Sequence, residues 1–503
     1  MKLAKITYFL LAGALLACSC KSDHSSDYLP VVSPDADSVG SPTGQLVSVV
    51  RSENYTPDQL VNSMMPAAQF EEVIKNMSII RPFIEATMRV KVLPRLAELD
   101  MQFCKELGTK QTLARQWQVE SHVFTYNSVA SDGSDIVLSG RVTFPNNKVQ
   151  DLDHEVQTLT LYTHPAVPSK LWQTYYSLGV MSLRSLQNSA VIEPDLQGFG
   201  VTEGQIMFPR YLSSVLARQA ADCATAALQV MARSGVRLAK DGYTTNWGGS
   251  QTAHVTARFH ELYETKSTQQ FRNAIRLHST YVASNVGWDG IGLPRTMVSG
   301  DRSNAIDAFC DCIRNMSAMH PSDLQGYQLS DFLSDAALNQ VTDIYGEQTT
   351  FYKWMTDKAP FRMIAALRPN FSEEWTLEKL VAPDMLSGDG TLNPASPKMQ
   401  ALTAAMTKGS KHSFYKIGLP IYLCQNPKDE MYSYEECLEF YNEYSMYGTN
   451  PNVHLCNIPV PRALAGAIEL IDVPGYHLGS YLVAMLEMVS EKTPAEVNSQ
   501  LNK

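Results

Sequence analysis

The sequence contains no block of lysine or arginine residues. Its 41 basic residues are outnumbered by 51 aspartate and glutamate residues, which gives the 503-residue chain a formal net charge of −10. Proteins that bind nucleic acids neutralise the phosphate backbone with clusters of basic side chains. The composition therefore argues against nucleic acid as a partner.

Long apolar runs are also missing from the chain after its N-terminus. No stretch there approaches 18 uninterrupted apolar residues. A membrane-spanning helix needs a run of about that length. The apolar run at the N-terminus itself, from Ile6 to Leu16, follows Lys2 and Lys5. A short apolar stretch after positive charges is typical of a signal peptide rather than of a finished membrane anchor.

This apolar run ends in "LLAC", which resembles the lipobox of bacterial lipoproteins. Cleavage after Ala17 would remove a signal peptide of residues 1–17 and leave Cys18 as the lipid-bearing residue, with Cys20 as a second choice. Simple secretion after cleavage at a small residue is the alternative. The sequence thus predicts a protein of the bacterial cell envelope, on the periplasmic or surface side, which touches the membrane only through its N-terminal lipid.

Cysteine is sparse, and the nine cysteines include no C-x-x-C motif. Cys310 and Cys312 lack further ligands at the spacings that zinc sites use. The glycines of "DLQGFGVTEG" are spaced differently from those of the dinucleotide-binding motif G-x-G-x-x-G. We therefore expect neither a metal nor a cofactor.

Hydrophobic residues make up 44% of the chain and charged residues 18%, which is typical of a globular protein. The pattern of the sequence divides the mature chain into five parts. They are a flexible tether at 18–45, an N-terminal helical segment at 46–115, the first part of an α/β core at 116–287, a helical cap insertion at 288–411 and the second part of the core at 412–503.

Predicted strands alternate with predicted helices through the core. A hairpin turns at "SDGSD", and the later strands are "QTLTLYT", "SAVIE", "GYTTNW", "NAIRLHSTYVA", "LPIYLCQ" and, last, "AIELIDV". This alternation indicates an α/β fold with a mostly parallel, doubly wound sheet. The insertion at 288–411 interrupts it and holds eight of the 21 methionines, which favours a large helical cap over an apolar cavity.

Ser250 lies in "NWGGSQT", a near match to the nucleophile elbow G-x-S-x-G, in which a tight strand-to-helix turn exposes a serine. A predicted strand precedes it and a predicted helix follows it, although Thr252 occupies the position of the last glycine. An ordinary serine in a glycine turn is the alternative. The context favours a nucleophile, with the backbone N–H of Gln251 as an oxyanion donor.

A serine hydroxyl is a poor nucleophile without a base. In chains with this elbow an acid and then a histidine follow the serine, on loops after later strands. Asp429 follows "LPIYLC", and His477 follows "AIELIDV". Alternatives remain open at this point: Glu430 and Asp472 for the acid, and His454 for the histidine.

Together these stretches resemble the α/β-hydrolase superfamily, and within it the secretory-lipase-like serine hydrolases, which include exported bacterial lipoproteins. The resemblance covers roughly residues 115–490 and rests on "VIEPDLQGFGVTEG", "GGSQTA", "LPIYLCQNPKDEMYSYEECLEFY" and "GYHLGSYLVAMLE". It implies an α/β-hydrolase fold with Ser250 as the nucleophile, Asp429 as the acid and His477 as the base.

Two further positions depart from the pattern of that family. Gln425 stands where the family often has the histidine of H-x-x-x-D, and His164-Pro165 replaces a common His-Gly. Proline has no N–H to donate. We therefore expect Ala166, or a residue near it, to supply the second oxyanion donor.

The expected activity is hydrolysis of a small-molecule or lipidic carboxylic ester through an acyl-enzyme. A serine peptidase on the same triad is the main alternative, and the absence of a propeller-like repeat in the sequence counts mildly against it. A non-catalytic binding lipoprotein on an inactivated hydrolase fold is the third possibility, and the complete set of Ser, Asp and His argues against it.

Overall fold

A single nine-stranded sheet organises the fold. The computed structural model describes residues 43–64, 118–146, 154–164, 174–283, 325–342, 376–410, 415–429, 434–469 and 475–490, with gaps at 177, 204, 207, 210 and 211 and with isolated residues between 89 and 105 and between 309 and 313. The strands are β1 Leu46–Tyr55, β2 Gln118–Val129, β3 Asp135–Asn146, β4 His154–Thr163, β5 Ser189–Pro194, β6 Val236–Gly249, β7 Leu277–Ala283, β8 Ile421–Gln425 and β9 Val453–Asn457.

The strand order is β1-β2-β3-β5-β4-β6-β7-β8-β9. Strands β1, β2 and β3 are antiparallel, and β3 is antiparallel to β5. From β5 to β9 every neighbouring pair is parallel. Parallel strands place their carboxyl ends at the same edge of the sheet, so the loops that follow β4, β6, β8 and β9 lie near one another. The predicted mostly parallel α/β sheet is confirmed.

Helices make up most of the connections between the parallel strands. In the described ranges they are α1 Pro57–Met64, α2 Ser213–Arg233, α3 Ala253–Thr265, α4 Gln269–Ile275, α5 Asp335–Thr342, α6 Leu377–Leu380, α7 Pro397–Ser410, α8 Tyr434–Tyr444, α9 Arg462–Glu469 and α10 Gly475–Ser490. Short 3-10 helices lie at Val180–Gln187, Gly200–Thr202, Ser250–Thr252, Leu329–Phe332 and Pro383–Met385. Within these ranges no helix combines the length and the apolar character that crossing a membrane requires.

Helix α2 packs closely on the sheet because its buried face carries small side chains. Ala217, Ala220 and Ala224 are buried, as is Cys223. A Cβ atom at Gly140 of β3 would lie 2.5 Å from the Cys223 sulfur. The close contact between α2 and β3 therefore depends on the absence of a side chain at Gly140. It leaves no gap in the core between α2 and the antiparallel part of the sheet.

The N-terminal segment 46–115, predicted as helical, begins with a strand instead. Leu46–Tyr55 pairs antiparallel with β2, and α1 begins only at Pro57. The strand sequence "LVSVVRSENY" contains three valines, and β-branched residues favour extended backbone. The hairpin predicted at "SDGSD" is confirmed by the antiparallel pairing of β2 and β3.

Among the described residues the last strand is β9, Val453–Asn457, and the strand predicted at "AIELIDV" is wrong for the first three residues of that stretch. The first three residues of that stretch, 467–469, end helix α9, and 470–473 lie outside the described residues. Alanine, leucine and glutamate in "RALAGAIE" are strong helix formers. In a short apolar run, periodicity alone does not distinguish a strand from a helix.

The predicted cap, 288–411, is described only in part, chiefly over 325–342 and 376–410. These parts contain α5, α6 and α7, and α7 contacts α2. Met385, Met399 and Met406 are buried in their surroundings. The helical character of this segment agrees with the sequence pattern, and its role as a cap over a cavity stays a prediction.

Candidate active site

The turn between β6 and α3 has the geometry of a nucleophile elbow. Strand β6 ends at Gly249, and Ser250 begins a 3-10 helix with a positive φ of 51°. A side chain at Gly248 would meet the Thr256 hydroxyl at 1.9 Å, and one at Gly249 would meet the Ala283 carbonyl at 2.8 Å. A non-glycine residue in the left-handed region is strained by about 1–3 kcal/mol, and such strain clusters at functional sites. Ser250 is thus held in an unfavourable conformation by the packing on both sides of the turn.

Thr252, the departure from the G-x-S-x-G pattern, forms hydrogen bonds within the elbow. Its hydroxyl lies 2.9 Å from the Thr163 carbonyl oxygen at the end of β4 and 3.1 Å from the Gly249 carbonyl oxygen. The side chain is buried. The hydroxyl links the turn between β6 and α3 to the neighbouring strand β4, which accounts for a threonine at this position. From the sequence alone, Thr252 was only a departure from the glycine of the motif.

We expect Thr252→Val to lower the free energy of unfolding by about 1–3 kcal/mol, because the isosteric side chain leaves the two buried carbonyl oxygens without this donor. Thr252→Ser keeps the hydroxyl, so we expect it to cost less than Thr252→Val. Urea denaturation of the two variants measures the difference. A Thr252→Val protein as stable as the wild type would show that the hydroxyl does not contribute to stability here.

Ser250, His477 and Asp429 form a continuous hydrogen-bonded chain. The Ser250 Oγ lies 3.1 Å from His477 Nε2. On the other side of the ring, His477 Nδ1 lies 2.9 Å from Asp429 Oδ2 and 3.2 Å from Oδ1. The imidazole is 2% exposed and the carboxylate is inaccessible to solvent. The structure therefore brings together three residues that are separated by 227 and 48 positions in the chain.

His477 lies on a helix, whereas the sequence predicted a loop directly after a strand. It is the third residue of α10, Gly475–Ser490, and α9 separates this helix from β9. One turn further along α10, the Tyr481 hydroxyl forms a hydrogen bond with the Tyr162 hydroxyl of β4. A Cβ atom at Gly249 would also approach the Tyr481 ring to 3.1 Å. Tyr481 thus fixes α10 against the strands beneath the elbow.

Gln425 holds the carboxylate of Asp429. It is the last residue of β8, and its buried side-chain amide donates a hydrogen bond of 3.0 Å to Asp429 Oδ2, the oxygen that also faces His477. Gln425 therefore occupies the position of the family histidine with a donor directed at the acid. The four-residue spacing was visible in the sequence, but only the structure reveals the contact.

The alternative histidine has a different environment. His454 lies inside β9 and stacks on Tyr422 with ring centroids 4.7 Å apart, and partial burial lowers its pKa. The alternative acids Glu430 and Asp472 lie outside the described residues, as do Ala166, Cys18 and Cys20. Gln251 follows Ser250 in the 3-10 helix, which is the position that a backbone oxyanion donor requires.

His164, at the end of β4, is anchored through a buried carboxylate. Asp195 Oδ1 lies 3.3 Å from His164 Nε2 and accepts a hydrogen bond of 2.8 Å from the backbone N–H of Thr174. Asp195 Oδ2 accepts from the Tyr175 N–H and the Ser139 hydroxyl, each at 2.9 Å. Asp195 thus connects three segments beside the strand end that precedes the predicted oxyanion loop. The sequence signal for this contact is the acidic pair in "VIEPD", because acidic residues are rarely buried without partners, and both Glu193 and Asp195 are buried.

Glu193, two residues before Asp195, is a second buried carboxyl in this region. Burial raises its pKa to about 7, and nearby Arg141 and His164 oppose the shift only partly. Its Oε2 accepts from the Ser182 hydroxyl at 3.2 Å. A carboxyl with a raised pKa in the folded state is protonated there at a pH at which the unfolded chain has already lost the proton.

We expect Glu193→Gln to change how stability depends on pH. As the pH rises from about 4.5, the ordinary pKa of a glutamate, through about 7, the free energy of unfolding of the wild-type protein should fall by about 3 kcal/mol relative to that of the variant. Above this range the difference should level off. Thermal or urea unfolding of both proteins from pH 4 to pH 9 measures this. Glu155→Gln, at an exposed residue paired with Arg237, serves as the control with little change. A difference between wild type and Glu193→Gln that does not vary with pH would contradict the expectation.

Among the described residues no group of three or more His, Cys, Asp or Glu side chains is placed to hold an ion. Cys424, Cys437 and Cys456 are buried and are not joined in disulfides, and Cys424 and Cys456 face each other across β8 and β9. Burial raises the pKa of Cys437 to about 12, so this thiol stays protonated at neutral pH.

Comparison with solved structures identifies the fold. The rice cell wall degrading esterase LipA from Xanthomonas oryzae superimposes with a TM-score of 0.54 at 14% sequence identity, over 88% of this chain and 97% of the esterase. A protein from Legionella pneumophila gives a TM-score of 0.50 at 11% identity, over 88% of this chain and 98% of that chain. No protein-family model and no curated protein sequence matches the chain significantly. The chain has the α/β-hydrolase fold, as the resemblance in the sequence implied.

Proposed function

We propose that this chain is a serine hydrolase that cleaves carboxylic esters. The observation that carries the proposal is the hydrogen-bonded chain from Asp429 through His477 to Ser250, with Ser250 strained at the end of a strand. An ordinary turn serine has no need of a buried histidine and carboxylate in series. We choose an ester over other acyl substrates by analogy with the esterase that shares the fold.

Ser250 is the nucleophile and His477 is the general base. As Oγ forms a bond to the ester carbonyl carbon, its proton passes to His477 Nε2, and the carbonyl oxygen becomes an oxyanion. Asp429 accepts the Nδ1–H bond, orients the ring and stabilises its charged form. The backbone N–H of Gln251 binds the oxyanion, and Ala166 or a neighbour supplies the second donor.

Collapse of the tetrahedral intermediate breaks the bond to the alcohol oxygen, which takes the proton from His477 as it leaves. Water then attacks the acyl-enzyme and gives a proton to His477, and Ser250 recovers that proton when the acid is released. The reaction needs no cofactor.

We further propose that Cys18 carries the lipid that holds the exported protein at the cell envelope, consistent with the signal-like N-terminus.

A chain-length series of p-nitrophenyl esters tests the proposed substrate class. If the methionine-containing segment 288–411 forms an apolar acyl pocket, each added methylene contributes about 0.8 kcal/mol. We then expect kcat/KM to rise about threefold to fourfold per methylene, from acetate towards decanoate, until the pocket is full. Initial rates at one pH measure the series.

A panel of aminoacyl and dipeptidyl anilides, assayed beside the esters, separates the esterase from the peptidase. We expect the anilides to react much more slowly. A flat ester series with faster cleavage of the anilides would contradict the esterase and support the peptidase.

A further inference from the structure

A cavity of about 410 Å³ opens beside the proposed acid and histidine. Its walls come from the loop after β8, the end of β9 and the loop that follows it, and the starts of α9 and α10. They include Lys428, Arg462 and Tyr476. Lys428 directly precedes Asp429, and Tyr476 directly precedes His477. The cavity therefore lies at the same edge of the sheet as Ser250, next to the two segments that carry the proposed acid and histidine.

The cavity is positively charged in a chain that is negative overall. Lys428 and Arg462 contribute two cations, and no aspartate or glutamate is found among the described residues that line it. The formal net charge of the whole chain is −10, so the sign of this pair of cations is opposite to that of the chain as a whole. The Asp429 carboxylate is inaccessible to solvent and faces His477, so a group bound in the cavity does not touch it.

The two cations are placed by separate elements of the fold. The Lys428 ammonium lies 5.3 Å from the centroid of the Tyr476 ring, a cation–π contact that holds the flexible side chain. Arg462 is the first residue of α9. The N-terminal end of a helix carries partial positive charge, which adds to that of the guanidinium. Asn457 and the apolar Ile458 complete this part of the wall.

We propose that this cavity is a subsite for an oxyanion group, a carboxylate or a phosphate, that the ester substrate carries several bonds away from its carbonyl carbon. The inference rests on the proposed function, since it assigns the cavity to the same substrate. A guanidinium and an ammonium are the side chains that bind carboxylate and phosphate oxygens. The described residues that line the cavity flank Asp429 and His477 in the chain and do not include Ser250, so a group bound there belongs to a part of the substrate away from the carbonyl carbon.

Matched substrates test the preference for charge. Esters of the type ω-acetoxyalkanoate carry a carboxylate at a variable distance from the acetyl ester, and the corresponding ω-acetoxyalkanamides are neutral. At low ionic strength we expect kcat/KM for the carboxylate to exceed that for the amide by about tenfold at the best chain length. Lys428→Gln and Arg462→Gln should each reduce this ratio about fivefold. Lys266→Gln, at an exposed lysine after α3, should leave it unchanged.

Direct binding separates failure of this inference from failure of the proposed function. Calorimetric titration of the inactive Ser250→Ala protein with inorganic phosphate should show binding that weakens about fivefold with each cation variant. Binding without any esterase activity in the wild type would support the anion site and overturn the hydrolase. Active enzyme that has equal rates for the carboxylate and the amide would overturn the subsite, and phosphate binding in that case would indicate a site for a free anion.

Discussion

Replacing Ser250 by alanine is expected to lower kcat for a p-nitrophenyl ester about 10⁶-fold. The substitution removes the atom that forms the acyl-enzyme, so that only substrate binding and the oxyanion donors remain to accelerate attack by water. Ser250 has a positive φ of 51°, a conformation that costs alanine about as much as serine. We therefore expect the variant to fold with nearly the same stability. Steady-state rates measure the loss, and circular dichroism checks the fold.

A second buried serine provides the matched control for this prediction. Ser185 lies in the 3-10 helix Val180–Gln187 and donates a hydrogen bond of 2.7 Å to the Ser182 carbonyl. Ser185→Ala should retain its activity. His477→Ala added to Ser250→Ala should cause no further loss, because members of a triad act as a unit. A Ser250→Ala enzyme with substantial kcat would show that another residue is the nucleophile.

Asp429→Asn is expected to lower kcat about 10⁴-fold. Asparagine has nearly the same shape, and its carbonyl oxygen can still accept from both His477 Nδ1 and Gln425 Nε2, which converge on one carboxylate oxygen in the wild type. The variant loses the negative charge that stabilises the imidazolium as the proton moves from Ser250. Its NH₂ group can also face His477 Nδ1, which favours the tautomer with the proton on Nε2, and that tautomer cannot act as the base. Comparison of kcat with the wild-type value, at a pH where both proteins are folded, measures the combined loss.

Glu430→Gln is the control for Asp429→Asn, because it removes a charge one position further along the same loop. We expect it to leave kcat nearly unchanged. The reverse ranking of the two variants would transfer the role of the acid to Glu430. This comparison decides between Asp429 and Glu430, which is one of the two alternative acids that the sequence left open.

The elbow could be predicted from the sequence because its signals are local. A strand, two glycines, a serine and a helix follow one another within 30 residues, from Val236 to Thr265, and the close contacts at Gly248 and Gly249 show why side chains are missing there. The order Ser250, Asp429, His477 is likewise readable along the chain. The contacts among the three depend on parallel pairing of β6, β7 and β8, which brings distant strand ends to one edge.

What the sequence did not predict depends on tertiary contacts. "AIELIDV" reads equally well as strand or helix by pattern, and only packing decides that its start belongs to α9. The helical position of His477 follows from that difference. The hydroxyl of Thr252 and the amide of Gln425 appeared as departures from a motif, and their contacts with Thr163 and Asp429 are visible only in three dimensions.

Covalent labelling of the full-length protein with a fluorophosphonate tests the central claim most directly. This probe reacts with a serine only where a base activates the hydroxyl. We predict one adduct per chain by intact mass spectrometry, located on Ser250 by peptide mapping, and none in Ser250→Ala protein that retains its fold. An adduct on a different residue, or labelling that persists unchanged in Ser250→Ala, would contradict the assignment of Ser250, His477 and Asp429 as the catalytic residues.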